Sequence, residues 1–288
     1  VASARAFLNG SAGLSAGLVM LLCLWPRRVR CDPNNRVHDN MRVVYCAYGG
    51  TRHMAEMQRS TRSLLTWHPD AEVQCYTTVD DAVHVCDRRI SVSIMAGVSP
   101  APGSWHDHRL KVRAIQEAWR NSAPLQYLDN DTYVLGPLHE PWVLLDSFDL
   151  LACAAPITDQ RVAKKMRPLP GEFRVPAAFG EVNCGVLFIA STAAAGRLLD
   201  RWSELLELNP EEPGEQWRER IALWELRPRL HVLSNNFNYR LPMRQSVFGP
   251  ILLLHGRAND LGAVGDALNS DTEYRFVERT PDGYKTRR

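Results

Sequence analysis

The chain has 288 residues, of which 45% are hydrophobic and 23% are charged, a balance typical of a globular protein with a sizeable core. Its formal net charge of +2 provides no positive excess for a nucleic-acid partner. The 7 cysteines lack the paired spacing of a zinc site, and one would be left over if the others formed disulfides, so the redox compartment stays open.

The first forty residues differ from the rest of the chain. The stretch 7–25 carries no charge and is rich in Leu, Gly and Ala, and it is just long enough to cross a bilayer. We predict a membrane anchor followed by a short stem, with a cleaved signal peptide and a leader that never meets a membrane as alternatives. Arg27, Arg28 and Arg30 follow the stretch, and the positive-inside rule would then leave the main domain in the cytosol.

Beyond residue 40, predicted strands and helices alternate. An apolar strand from Met41 to Tyr48 leads into two glycines, then into a helical pattern from His53 to Trp67 and a second strand, Val73–Thr77. The stretch 82–105 mixes short apolar runs with Ser, Gly and Pro, and we predict that it is loop-rich. This alternation predicts an α/β fold with a mostly parallel sheet.

The second half of the chain continues the pattern. Apolar spacing predicts a helix at Asp107–Trp119, strands at Leu150–Ala155 and Val186–Ile189, an amphipathic helix around 195–206, and a helix at Glu215–Leu226. Prolines interrupt 158–179, which we predict to be a mobile excursion. The polar tail beyond Asn259 is predicted to wrap the surface or fray.

An aspartate pair, Asp129 and Asp131, lies within the apolar run Leu125–Leu135. The flanking residues predict a buried strand entering a turn, and residues i and i+2 of an extended segment share a face. Two poorly solvated carboxylates repel unless a cation lies between them, and hard oxygen ligands suit Mg²⁺ or Mn²⁺ together with a substrate's phosphates. We therefore predict a divalent ion bridging the protein to a diphosphate. A plain Asp-Asn-Asp turn is the alternative.

Four features fall at predicted strand ends: Tyr48 with Gly49, Asp80, the aspartate pair, and His255. Ligands of open α/β sheets bind at the carboxyl ends of the strands, so these features predict one shared site. Strand ends also collect turn residues for purely structural reasons, which is the alternative for each feature taken alone.

Four short motifs occur in a fixed order: Tyr48-Gly49-Gly50, Leu128-Asp129-Asn130-Asp131, Asn183-Cys184-Gly185-Val186 and Leu254-His255-Gly256. In this order they resemble the nucleotide-diphospho-sugar transferases of the GT-A fold, close to the glycogenin-like group. The resemblance spans 41–259. It implies a single GT-A (Rossmann-like) domain over 41–259 with a mostly parallel sheet flanked by helices, preceded by the hydrophobic segment and stem 1–40 and followed by a tail, 260–288.

The resemblance also implies roles for individual residues. His255 would be the third protein ligand of a Mn²⁺ or Mg²⁺ ion, beside Asp129 and Asp131. Asn183 and Gln216 would lie at the reacting sugar, although Glu215 stands where relatives often carry Asp. Contacts to a nucleotide-sugar donor, UDP-linked by analogy, are expected at Tyr48, Gly49, Asp80, Lys111, Asn130, Gly185 and Gly256. A solvent-facing lysine is the alternative for Lys111, and structural turns are the alternative for the glycines and Asn183.

The function implied by the resemblance is that of a metal-dependent, hexosyltransferase-like glycosyltransferase that transfers a sugar with retention of anomeric configuration. A carbohydrate, protein or lipid would be the acceptor, and a Golgi or other secretory-pathway membrane the location, with the cytoplasm as the alternative. A nucleotidyltransferase of similar fold is one rival, but it would normally show a longer glycine-rich phosphate loop after the first strand. A non-catalytic carbohydrate-binding protein on the same fold is the other rival.

Overall fold

The computed structural model describes residues 41–78, 82–95, 108–155, 175–176, 178–208, 214–241, 243, 245–280 and 283–287. The segment 1–40, Asp80 and most of the excursion 158–179 lie outside these residues. The anchor, the stem and the role of Asp80 therefore stay predictions. Within the described part of the chain, none of the helices is long and apolar enough to cross a membrane.

The central sheet has seven strands: β1 Arg42–Cys46, β2 Glu72–Thr77, β3 Ile90–Ile94, β4 Leu125–Leu128, β6 Leu150–Ala154, β7 Val182–Ile189 and β8 Leu230–Leu233. They are arranged in the order β3-β2-β1-β4-β7-β6-β8. Strand β1 pairs in parallel with β2 and β4, whereas β7 runs antiparallel between β4 and β6. The mostly parallel α/β sheet predicted from the sequence is confirmed.

Helices cover both faces of this sheet: α1 Thr51–Trp67, α2 His108–Asn121, α3 His139–Leu144, α4 Ala193–Leu208 and α5 Gln216–Leu226. Near the C-terminus, α6 Leu261–Asn269 packs in a separate small core with Tyr239 and Leu254. Alternate residues of a strand point to opposite faces, so Tyr127 of β4 joins the core beneath α2, α4 and α5, while Leu128 joins the core beneath α1 and α3. Apolar residues at helical spacing, such as Leu110 and Ala114 of α2, form the inward face of each helix.

Two small sheets complete the described fold. Strands β5 Thr132–Val134, β9 Tyr239–Arg240 and β11 Leu253–His255 form one in the order β5-β11-β9. Strands β10 Gln245–Val247, β12 Arg275–Thr280 and β13 Gly283–Arg287 form the other in the order β10-β12-β13. In the first, His255 lies opposite Thr132, the residue that follows Asp131. This register brings the end of β11 to the acidic segment.

Two stretches contain regular elements that the sequence did not indicate. Strand β3 lies in the stretch predicted to be loop-rich, where its alternating sequence Ile-Ser-Val-Ser-Ile pairs with β2. The tail, predicted to wrap the surface or fray, contains α6 and the pair β12–β13. Helix α6 is capped by Asp260, whose side chain accepts a hydrogen bond from the Ala263 N–H at 2.9 Å, and Leu261 and Leu268 are buried. Tertiary packing holds these elements, so composition alone did not indicate them.

Candidate functional site

The acidic segment is a turn between β4 and β5. The Thr132 N–H donates to the Asp129 carbonyl at 3.2 Å, and the Thr132 hydroxyl donates to the same oxygen at 2.9 Å. The Asn130 amide donates to the Cys46 carbonyl at 3.0 Å, which places the turn beside the end of β1. The predicted convergence of strand ends is therefore observed for β1, β4 and β11.

Three side chains meet above this turn. The Nε2 atom of His255 lies 3.5 Å from Asp129 Oδ2 and 3.4 Å from Asp131 Oδ1. One ligand atom from each of the three residues lies within 4.8 Å of the other two. Two carboxylates and an imidazole form a donor set suited to Mn²⁺ or Mg²⁺, so the residues predicted as metal ligands are brought together in a geometry able to hold an ion.

Two glycines make room for this cluster. A Cβ atom on Gly185 would lie 2.5 Å from Asp129 Oδ2 and would also overlap the His255 ring, so a side chain at this position is excluded. Gly256 has φ of 134°, a conformation that favours glycine, and its N–H donates to the Asp131 carbonyl at 2.8 Å. The first glycine clears the space between the ligands, and the second fixes β11 against the turn.

Asp129 is held on its other side by two donors. Lys111 Nζ and the Tyr127 hydroxyl both donate to Asp129 Oδ1, each at 2.9 Å. Lys111 is buried and also donates to Glu215 Oε1 at 3.3 Å, while His108 Nδ1 lies 2.6 Å from the second oxygen of Glu215. Because Oδ1 is occupied in this way, Oδ2 is the Asp129 oxygen left facing His255.

The charges in this cluster stabilise one another. Burial acts to raise the pKa of Asp131, but the hydrogen bond and charge of His255 and the charge of Arg257 outweigh it, so the pKa lies below its ordinary value. Burial likewise opposes the charge on Lys111, yet the carboxylates of Asp129 and Glu215 raise its pKa well above the ordinary value. The pKa of Glu215 is lowered in turn, because Lys111 and His108 overcome the effect of burial. Each of these three groups therefore carries its charge near neutral pH.

Side-chain amides and a carboxylate connect His255 to the start of α5. The His255 Nδ1 atom lies 2.9 Å from Asn238 Oδ1, and the Asn238 amide donates to Asn183 Oδ1 at 2.8 Å. The Asn183 amide donates to Gln216 Oε1 at 3.1 Å, and the Gln216 amide donates to Glu181 Oε2 at 3.0 Å. Both residues expected at the reacting sugar, Asn183 and Gln216, therefore belong to a network that ends on a metal-ligand candidate.

The opposite side of the cluster is basic. Arg257, about half exposed, donates to both oxygens of the buried Glu56 in α1 at 2.8 and 3.2 Å, and one of its nitrogens lies 3.8 Å from Asp131 Oδ2. Arg52, in the first turn of α1, also donates to Glu56 at 3.1 Å. Although burial acts against the Glu56 charge, the two arginines lower the pKa of Glu56 overall. Glu56 thus holds a guanidinium beside the acidic turn.

The glycine turn predicted to approach the nucleotide comes directly after β1. Gly49 has φ of 91° and Gly50 has φ of 107°, and Gly50 precedes the first residue of α1. Both angles lie in the region where a side chain is strained, which accounts for glycine at each position. Donor contacts at Tyr48, Gly49, Lys111, Asn130, Gly185 and Gly256 stay predictions.

Sequence reasoning assigned no role to several residues that support the site: Glu56, His108, Tyr127, Glu181, Asn238 and Arg257. Asn238 lies between the third and fourth motifs, and nothing in the spacing of 183, 238 and 255 indicated contact. Such contacts depend on which strands become neighbours. They were therefore accessible only once the topology was known.

No protein-family model matches the chain, and no curated protein matches its sequence. An active-site variant of LgtC superposes with a TM-score of 0.52 at 17% identity, covering 80% of this chain and 95% of that chain. The galactosyltransferase LgtC, in complex with donor and acceptor sugar analogs, gives a TM-score of 0.52 at 15% identity, covering 78% of this chain and 91% of that chain.

The structural likeness shows the fold. A central sheet of seven strands with helices on both faces matches nearly the full length of a glycosyltransferase. The chain therefore has the GT-A fold of nucleotide-sugar glycosyltransferases, as its sequence motifs predicted. Fold does not determine the reaction, so the function has to be argued from the site.

Proposed function

We propose that this protein is a metal-dependent glycosyltransferase that moves a sugar from a UDP-linked donor to an acceptor. The observation that carries the proposal is the convergence of Asp129, Asp131 and His255, one ligand atom from each lying within 4.8 Å of the others. This cluster lies where the strands β1, β4 and β11 end, the edge at which open α/β sheets bind ligands.

The residues at this edge fit a divalent ion. Asp129 Oδ2, one carboxylate oxygen of Asp131 and His255 Nε2 would hold it, and Gly185 leaves the space between two of these atoms open. When bound, a divalent ion neutralises charge on the departing diphosphate as a Lewis acid. Mn²⁺ fits the mixed set of carboxylate and imidazole ligands, with Mg²⁺ as the alternative.

The protein's own charges prepare the site for a diphosphate. Lys111 and Tyr127 fix the orientation of Asp129, so that little reorganisation of this carboxylate is needed when a ligand arrives. Arg257 carries a half-exposed guanidinium beside Asp131 and is kept in place by Glu56. Its charge favours binding of an anionic leaving group at this side of the cluster. The side-chain oxygen of Asn130, Oδ1, is buried and lacks a hydrogen-bond partner within the described part of the chain. It could accept a hydrogen bond from a hydroxyl group of the nucleotide sugar.

The sugar would lie between the acidic turn and the start of α5. Gln216 and Asn183 line this side, and their amides are oriented by contacts with Glu181 and Asn238. We keep retention of anomeric configuration as part of the proposal, on the resemblance alone. The acceptor and the membrane location likewise rest on the resemblance and on the segment 1–40.

Hydrolysis of the donor tests the proposal. A transferase lacking its acceptor transfers slowly to water, so the protein should release UDP and free sugar from its preferred UDP-sugar only when Mn²⁺ or Mg²⁺ is present. Asp131→Asn removes one ligand charge, and it should abolish this metal-dependent release while its circular dichroism and urea midpoint stay those of a folded protein. Metal-dependent release that is unchanged in Asp131→Asn would disprove the assignment.

Two further outcomes identify the rivals. Pyrophosphate formed from a sugar 1-phosphate and UTP, without hydrolysis of UDP-sugars, would identify a nucleotidyltransferase. Metal-dependent binding of UDP, with neither hydrolysis nor transfer across a broad donor panel, would favour a non-catalytic carbohydrate-binding protein. A thermal-shift titration with UDP, with and without Mn²⁺, supplies the binding measurement for both.

A further inference from the structure

The side-chain network behind His255 determines which of its ring nitrogens carries the proton. Asn183, Asn238 and His255 are buried, with exposed fractions of 5%, 0% and 7%, so water does not compete for their polar atoms. Each contact in the network joins one donor to one acceptor. The direction of every hydrogen bond can therefore be worked out from a member whose role is fixed.

Gly185 provides a group whose role as a hydrogen-bond donor is certain. Its backbone N–H, which can only donate, lies 3.2 Å from Asn183 Oδ1, so the carbonyl oxygen of Asn183 faces it. The same oxygen lies 2.8 Å from the side chain of Asn238. Because an amide oxygen only accepts, the Asn238 group that faces it must be the NH₂ group.

At the end of the network away from His255, the carboxylate of Glu181 gives the hydrogen bonds the same direction. Glu181 Oε2 can only accept from Gln216 Nε2, which leaves Gln216 Oε1 facing Asn183. Asn183 must then present its NH₂ group to Gln216 and its oxygen to Asn238. The two ends of the network, a backbone N–H and a carboxylate, thus independently give Asn183 one orientation.

The orientation of Asn238 follows, and with it the state of the histidine. With its NH₂ group on Asn183, Asn238 presents Oδ1 to His255 Nδ1 at 2.9 Å, and this contact is a hydrogen bond only if Nδ1 carries a proton. In the neutral ring, Nε2 then bears the lone pair. That atom is the one at 3.5 and 3.4 Å from the carboxylates of Asp129 and Asp131.

We propose that Asn238, oriented by Asn183, is a positioning residue that keeps a proton on His255 Nδ1, so that Nε2 is the ring nitrogen presented to a divalent cation between the two aspartates. The inference rests on the metal site of the proposed function. Outer partners that orient a ligand histidine commonly change metal affinity by on the order of ten- to a hundredfold when removed.

The proton can be located without any metal. Two-bond ¹H–¹⁵N spectra of the metal-free protein with ¹⁵N-labelled histidine, recorded at about pH 8.5, distinguish Nδ1–H from Nε2–H in a neutral imidazole, the two tautomers that partner groups select. The chain has 9 histidines, so the His255 signals are assigned by their loss in His255→Ala. We expect a proton on Nδ1. A His255 ring whose Nδ1 carries no proton overturns the proposal.

Two substitutions at Asn238 separate positioning from packing. Asn238→Leu keeps the size but removes the acceptor, so the ring should populate both tautomers, and Mn²⁺ affinity measured by calorimetry should fall on the order of ten- to a hundredfold. Asn238→Asp restores an acceptor for Nδ1–H but loses the donor to Asn183 Oδ1, so it should recover the tautomer while the Mn²⁺ affinity recovers only in part. An Asn238→Leu protein with the wild-type tautomer and affinity overturns the proposal. If this variant does not fold, the wild-type spectrum still decides.

Asn236→Leu is the matched control. The Asn236 side chain donates to the Phe248 and Pro250 carbonyls at 2.8 and 2.7 Å, so its loss should lower stability but leave the tautomer of His255 unchanged. A tautomer change in this control as large as in Asn238→Leu would count against Asn238. If wild-type protein shows the Nδ1–H form but binds no Mn²⁺, the network is supported while the proposed function fails.

Discussion

At Gly185, the absence of a side chain determines whether three other side chains can meet. A methyl group there would overlap the His255 ring and lie 2.5 Å from Asp129 Oδ2, and its neighbours are fixed by the Asn183 and Lys111 contacts. Gly185→Ala should therefore reduce Mn²⁺ affinity by on the order of tenfold or more, comparable with loss of an outer-shell partner. Calorimetric titration of the metal-free protein with Mn²⁺ measures the effect.

The control for this prediction is Gly180→Ala, because a Cβ on Gly180 would meet nothing within 4 Å. It should bind Mn²⁺ as the wild type does, with a similar urea midpoint. If Gly185→Ala also binds Mn²⁺ with wild-type affinity, the ion does not lie between Asp129 and His255.

The site shows which residue roles a sequence can predict. Asp129 and Asp131 were predicted from paired carboxylates at the end of an apolar strand and His255 from the family resemblance, and the fold brings the three together. The roles of Asn238 and Glu181 were not predictable, since amides and acids occur throughout a surface and only the neighbouring strands give them partners. A role that follows from the residue's own functional group and its place at a strand end could be predicted. A role that depends on which residues become neighbours in the fold could not.

At the scale of elements, local pattern indicated the strong helices and strands and missed those that depend on neighbours. Helix α6 contains two glycines among nine residues, which lowers its intrinsic propensity, and it is held by its Asp260 cap and by buried leucines. Strand β3 has only five residues and lies at the edge of the sheet. Neither has the length or the amphipathic spacing that made α1 and α4 recognisable from the sequence.

Helix α5 carries an unusual residue on its sheet-facing side. Glu219 is 1% exposed, and neither of its carboxyl oxygens has a hydrogen-bond partner among the residues that the structure describes. Burial raises the pKa of Glu219 to about 8, an effect only partly offset by the charge of Lys111. The folded protein therefore binds a proton here that the unfolded chain releases at much lower pH.

The sign of the pH dependence follows from this difference. Between the ordinary glutamate pKa of about 4.3 and the folded value, the folded state holds more protons, so stability falls as pH rises. Glu219→Gln keeps the shape without the charge. Its free energy of unfolding should exceed that of the wild type by roughly 5 kcal/mol at about pH 8.5 and by roughly 1 kcal/mol at about pH 5, since each unit between a pKa of about 4.3 and one of about 8 corresponds to about 1.4 kcal/mol.

Urea unfolding of both proteins at the two pH values measures this difference. Glu140→Gln provides the comparison, because Glu140 is exposed in the first turn of α3 and its substitution should change stability little at either pH. A stability difference between wild type and Glu219→Gln that is the same at both pH values would contradict the prediction.

At the scale of the whole molecule, the candidate site joins two sheets. Asp129 follows β4 of the central sheet, whereas His255 ends β11 of the small sheet that also contains β5. The Gly256 N–H on the Asp131 carbonyl and the pairing of β11 with β5 connect the two sides. A ligand held by all three side chains would therefore resist separation of the small sheet from the central one.

This arrangement predicts where ligand binding slows hydrogen exchange. With Mn²⁺ and UDP at about a hundred times the dissociation constant, the gain in stability should be about 2.7 kcal/mol. Amides of β5 and β11 should gain up to this full amount even where they exchange through local opening, because local opening of the small sheet would break the site. Amides of edge strand β3, at the far side of the central sheet, should gain less where they exchange through local opening, because such opening leaves the site intact. Asp131→Asn should lose the protection in β5 and β11, as read by mass spectrometry of peptides covering 132–134, 253–255 and 90–94. Protection confined to the central sheet would mean that the ligand does not engage His255.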